Sequence, residues 1–258
     1  LSGDPETVRS NPIMKQATQT ALVLATLVHL SAPANAAIAL TTAMSGPNAP
    51  STTTDELTFA ADVSTSDLLH GIQGTGGSWL ANGSSPDGLN DGANGGDFDA
   101  MGLPALVGAA WARDSNPASF REFSLGTGAN GLGFDITEIQ SIAAWQGAGF
   151  SNQFYTVSVR FVGAATFTAL TTVNYQPFPA LPANNGGSTK VNITDTTGVL
   201  AGGVEAIRFD ILDTISNDGG GTVFREIDVF GVASIPEPST TLLIGLGGLA
   251  LGCRRRVR

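Results

Sequence analysis

Between Ser84 and Met101 the chain sets four carboxylates, Asp87, Asp91, Asp97 and Asp99, among glycines and asparagines. Ca2+ takes about six to eight hard oxygen ligands from carboxylates and backbone carbonyls on a bendable loop. Glycine lets such a loop turn its carbonyls inward. The spacing is not that of an EF-hand, because the Glu that closes such a loop is missing. Asp, Asn and Gly also favour solvated turns, so the stretch reads either as a cation loop or as a turn cluster. A second acidic stretch, Asp213–Gly221, holds Asp213, Asn217 and Asp218 before three glycines and reads as a long hairpin connection.

Trp79, Trp111 and Trp145 are the other side chains with chemistry to offer. Sugar rings stack their apolar faces on indoles. Trp79 stands in Gly76-Gly77-Ser78-Trp79, and Trp145 ends a strand-like run before Gln146-Gly147. Both positions suit a loop rim where ligands bind, and both suit a core anchor. Catalysis finds little material. His70 is the only histidine outside the apolar amino-terminal region, no Gly-x-Ser-x-Gly elbow or His-x-x-x-His pair is present, and no carboxylate pair stands out from the turn background. The glycine-rich run 126–133 lacks the Gly-Lys-Ser/Thr ending of a phosphate loop. A non-catalytic protein is the expectation.

The elements that must position these residues are strands. Charged residues are only 13% of the 258, and glycines number 33. Short β-type runs alternate with Gly, Asn, Asp and Pro clusters, and no long 3.6-residue period occurs. In Phe154–Val162, Tyr155, Val157, Val159 and Phe161 fall on one face and Thr156, Ser158 and Arg160 on the other. Ile207, Phe209 and Ile211 alternate likewise with Arg208 and Asp210 in Val204–Leu212. Further runs are Phe120–Leu125, Phe134–Trp145, Thr166–Asn174, Lys190–Ile193 and Val223–Phe230. This spacing predicts an all-β antiparallel sandwich over 55–234. Residues 37–54, rich in Ala, Thr, Ser and Pro, read as a flexible leader.

Four of these pieces follow in an order that resembles the galactose-binding-like jelly roll of discoidin-type domains and many carbohydrate-binding modules. They are 123–126, 135–139, 153–159 and the closing Arg225-Glu226-Ile227-Asp228-Val229-Phe230-Gly231. The resemblance implies a structural Ca2+ held by an Asp-Gly loop and the Glu of the last strand, here Asp91 and Glu226. It also implies a loop-borne glycan site, for which Trp79 and Trp145 are the candidates. The strand 166–174 departs from the pattern, since Gly163-Ala164 replaces the expected Asp-Gly turn.

Both ends read as delivery segments. Met14-Lys15 opens an export signal, Ala21–Leu30 is its apolar region and Ala34-Asn35-Ala36 its cleavage site for signal peptidase, which makes 1–36 an upstream leader plus signal helix. At the other end, Pro236-Glu237-Pro238 precede an uncharged run 241–252 and then Arg254, Arg255 and Arg256. Prolines break the preceding strand, and the arginines stop transfer. The run is short against the roughly 20 residues that span a bilayer, and counting from Ser239 with snorkelling arginine stems brings it near the lower limit. This order in 235–258 resembles the PEP-CTERM sorting signal of Gram-negative bacteria, which implies a transmembrane helix and recognition by an exosortase-type membrane transpeptidase. Cys253, the only cysteine, lies in this segment, so no intrachain disulfide forms.

Between Ala37 and Pro238 six basic residues face twenty acidic ones, a net −14. Nucleic acid needs a basic footprint, so it is excluded as a partner. The expectation is a surface-associated binding or matrix protein of the Gram-negative envelope, engaging its own or extracellular polysaccharide. A structural biofilm protein without a small ligand is the alternative, and a glycan-active hydrolase a minor one.

Overall fold

The computed structural model describes residues 37–48, 53–77, 86–95, 110–112, 119–179, 185–215 and 220–236. The expected signal helix, Trp79 and the expected transmembrane segment with Glu237, Pro238, Arg254, Arg255 and Arg256 lie outside them. Nine strands are present among the described residues: β1 Ile38–Asn48, β2 Ala110–Ala112, β3 Phe120–Ser124, β4 Phe134–Trp145, β5 Gln153–Phe161, β6 Thr168–Tyr175, β7 Gly186–Asp195, β8 Ala201–Ile211 and β9 Thr222–Ala233. One short helix, α1, covers Thr53–Leu57.

The strands pair antiparallel in two layers. In the larger, β1 pairs β7, β7 pairs β4, β4 pairs β9, and β9 pairs the short β2. In the smaller, β3 pairs β8, β8 pairs β5, and β5 pairs β6. The layers join where the start of β4 also pairs β8, at Phe134↔Val204 and Ile136↔Ala201. Period-two alternation turns one face of each layer inward. Ile136, Ile139 and Ala143 of β4, Ile227 and Val229 of β9, Val157 and Val159 of β5, and Ile207 and Phe209 of β8 form one buried cluster. Tyr155 of β5 meets Phe224 of β9 edge-on at 5.8 Å across the layers. Its hydroxyl bonds the Ser141 hydroxyl at 2.7 Å, so the one polar tip in this part of the core is satisfied.

Residues 38–48 correct the sequence reading. They form β1, not a flexible leader, with Ile38↔Asp195 through Ser45↔Ser188 in register with β7. Ala, Thr and Ser carry no charge to oppose an edge strand, and pairing with β7 supplies the order that composition alone does not reveal. The folded body therefore starts ahead of Asp55.

One end of the sandwich gathers the starts of β1, β4 and β8 and the ends of β5, β7 and β9. Ser234, just after β9, donates its N–H to the Gly133 carbonyl at 2.9 Å. Val162 N–H bonds the Gly203 carbonyl at 2.9 Å, and Thr196 N–H bonds the Ala37 carbonyl at 3.2 Å. The opposite rim carries the loops after β4, β6 and β8.

Candidate functional site

Strand β9 turns three charged residues, Arg225, Glu226 and Asp228, away from the hydrophobic core, yet all three are buried. A bulge opposite Ile142 and Ala143 puts the consecutive Arg225 and Glu226 on the same outer face. Described parts of 58–77 and 86–95 lie over that face. Leu68 N–H bonds the Val229 carbonyl at 2.7 Å, and Thr75 pairs with Glu122 of β3.

Glu226 is 1% exposed. Its Oε1 accepts the Gly92 N–H at 3.0 Å, and its Oε2 has no hydrogen-bond partner among the described residues. Burial pushes this carboxyl up to about 9, with Asp228, Asp91 and Asp67 adding to the rise and the Gly92 N–H opposing it. Asp228 accepts from Gln140 Nε2 at 2.9 Å and from Ser64 N–H at 3.3 Å. Burial, with the charge of Asp67, pushes it up to about 7. Asp67 takes the Leu69 N–H at 2.7 Å on Oδ1, its Oδ2 is buried without a partner among the described residues, and burial raises it as well.

The loop bearing Asn90-Asp91-Gly92 is set from below and within. Asn90 Nδ2 donates to the carbonyls of Leu69 at 2.5 Å and Ile72 at 3.1 Å, and Asp91 Oδ1 accepts the Ala93 N–H at 2.9 Å. Gly92 has φ +75°, and a Cβ there would lie 2.7 Å from Thr65 Cγ2 and 3.0 Å from His70 Nδ1. Only glycine fits this approach. The exposed His70 thus lies against the loop.

The structure brings the loop bearing Asp91 onto Glu226 through the Gly92 N–H, and places Asp67 and Asp228 nearby, which the sequence reading missed. Glu226 and Asp228 stand two apart on a strand and so share a face. That spacing is the signal that could have found the second. A hard cation suits two orphan carboxylate oxygens in a buried acidic cluster. Among the described residues no group of three or more His, Cys, Asp or Glu side chains forms a cage.

Beside this cluster Arg225 is fully buried, with Nη2 3.3 Å from Glu56 Oε2, Nη1 3.2 Å from the Asn94 carbonyl and Nε 3.1 Å from the Ala144 carbonyl. It pins α1 and the 90–95 loop to β9.

At the opposite rim Trp145 ends β4 only 8% exposed, so a sugar could meet little more than the edge of its indole. Asn152 organises this rim. Its Nδ2 donates to the carbonyls of Phe178 at 2.8 Å and Ile215 at 2.9 Å, and its Oδ1 accepts the Phe178 N–H at 3.0 Å. Pro236 is exposed at the foot of the sandwich.

Residues 234–256 match the PEP-CTERM protein-sorting motif. No curated protein matches the sequence. Among solved structures the chain is similar to CpGH89CBM32-5 from Clostridium perfringens, in complex with GalNAc-β-1,3-galactose, at 14% identity and TM-score 0.40 over 64% of this chain and 99% of that one. It is similar also to chitosan-binding module 1 of a chitosanase/glucanase from Paenibacillus sp. IK-5, at 13% identity and TM-score 0.39 over 64% and 98%. A fucose binding module of Streptococcus pneumoniae gives 17% identity and TM-score 0.37 over 64% and 94%.

Proposed function

We propose that this chain is an exported, membrane-retained, non-catalytic protein of the Gram-negative cell surface whose β-sandwich engages envelope or extracellular polysaccharide. The observation that carries the reading is the sorting motif at 234–256, which begins one residue after β9 ends at Ala233. The sandwich is therefore the cargo of that tail, delivered by signal peptidase and an exosortase-type transpeptidase. Polysaccharide as ligand rests on the resemblance of the strand set, closed by 225–231, to the galactose-binding-like fold. A structural Ca2+ at Glu226, beside Asp91, would fix the loop that covers β9.

The test is retention of the full-length, detergent-solubilised protein on immobilised polysaccharides, including the producing cell's own. Retention on at least one supports the reading. Passage through neutral and acidic matrices alike overturns its ligand half. A second reading, a structural surface protein without a small ligand, is favoured by one observation: no Phe, Tyr or Trp is exposed among the residues whose burial is described, which do not include Trp79 or Trp111. It expects Trp145→Ala to change stability and nothing else.

A further inference from the structure

The large apolar side chains that the sandwich leaves exposed are not spread evenly. Among the described residues eight are exposed: Ile38, Leu132, Val199, Val232 and Ile235 belong to the end at which β9 finishes, Leu40 and Met44 lie along the edge strand β1, and Ile215 stands at the opposite rim. Val232 and Ile235 are the most exposed, at 62% and 76%. Ile38 opens β1 beside Asp195, Val199 lies in the turn from β7 to β8, Leu132 lies in the turn from β3 to β4, and Val232 pairs with Asp135. The same end is free of formal charge in its loops. Residues 125–133, 162–167, 196–203 and 231–236 contain no Asp, Glu, Lys or Arg, in a chain of net charge −10.

The chain leaves this end at a fixed point. Ser234 gives its N–H to the Gly133 carbonyl at 2.9 Å and its hydroxyl to Asp135 Oδ1 at 2.5 Å, and its carbonyl takes Asn130 Nδ2 at 3.2 Å. From Ser234 to Thr241, where the uncharged run of the sorting motif opens, is seven residues. Even fully extended, that is at most about 25 Å. A tail held in a bilayer therefore keeps this end within one short tether of the lipid surface.

We propose that this end of the sandwich is a membrane-contact surface, with Leu132, Val199, Val232 and Ile235 entering the interfacial layer of the bilayer that holds the sorting tail. Aliphatic side chains on charge-free loops gain by leaving water there. The loops 125–133, 162–167, 196–203 and 231–236 carry no acid, so Asp135 and Asp195, set back in the strands, are the acidic groups nearest the headgroups, and repulsion is weaker than over the rest of the molecule. The body then stands upright, with the rim around Trp145 and Asn152 pointing away from the membrane. The inference rests on the reading of 234–256 as a membrane anchor.

The test uses the full chain in phosphatidylcholine vesicles, with Cys253→Ser as background and an environment-sensitive fluorophore on Val199→Cys, Leu132→Cys or Ile215→Cys. Ile215 is exposed at the opposite rim. Flotation with the vesicles reports the anchor, and quenching by headgroup nitroxide lipid reports contact. The expected result is flotation of all three, with blue-shifted, quenched emission at 132 and 199 and neither at 215. Flotation without quenching at 132 and 199 overturns the inference and leaves the anchor standing. Failure to float overturns both. Crosslinking of copies through position 199 in detergent, with no quenching in vesicles, assigns the surface to a second copy and also overturns it.

Discussion

At the residue scale the buried carboxylates decide the most. Glu226 is pushed up to about 9 and Asp228 up to about 7 by burial. A carboxyl whose folded value lies above its unfolded one stabilises the fold while protonated, and that stability is lost as pH rises toward the folded value. Metal-free protein should therefore melt lower as pH is raised from about 5 to about 8. Ca2+ should raise the melting temperature most at the upper end of that range, where the ion replaces a proton that is no longer held. Differential scanning calorimetry at several pH values, with and without Ca2+, reads both. Glu226→Gln keeps an acceptor for the Gly92 N–H, so it should flatten the pH dependence and abolish the Ca2+ response together. A Ca2+ response that survives this variant would remove Glu226 from the proposed site. Asp91 and Glu226 could be paired from sequence through a family resemblance alone. Asp228 was signalled only by its spacing two residues from Glu226 on one strand, and Asp67 escaped because nothing local distinguishes an acid in a solvated turn from one folded against a strand.

At the element scale the bulge in β9 is decisive. It lets Arg225 reach Glu56 of α1 and Glu226 reach Gly92 from the same face. Removing the cation leaves Glu56 buried without it, so Arg225→Ala should cost about 3–5 kcal/mol. Arg225→Met, of similar volume, paired with Glu56→Leu should recover much of this. Urea unfolding of the two variants checks the order. Strand centres were legible because their alternation is strict: Phe134–Trp145 is observed as expected, and Tyr155, Val157, Val159, Ile207, Phe209 and Ile211 are all buried. Strand β1 was not legible. Its partner β7 lies about 150 residues away, and an Ala/Thr-rich edge strand has no hydrophobic period strong enough to announce itself.

At the scale of the whole molecule the two ends of the sandwich have different work. One end carries the exit to the sorting motif and five of the exposed aliphatic side chains, and the other is closed by hydrogen bonds from Asn152 to two neighbouring loops. The body has no cysteine, since Cys253 is the only one in the chain. Its stability rests on the two-layer core, so a reductant should leave the melting temperature unchanged. A reductant-induced drop in calorimetry would mean intermolecular pairing through Cys253.

What the sequence determined by itself are the properties that depend on residue type and short spacing. These are the sorting motif at 234–256, strand positions through period-two alternation, the acidic balance and the shortage of catalytic groups. What tertiary structure alone decided are the properties that depend on which distant segments meet. Burial drew Glu226, Asp228 and Asp67 together into a cluster with two carboxylate oxygens left without a partner among the described residues, β7 converted 38–48 into a strand, and the fold gathered Ile38, Leu132, Val199 and Val232 at one end. Those outcomes follow from long-range pairing and desolvation, which no local pattern in the chain encodes.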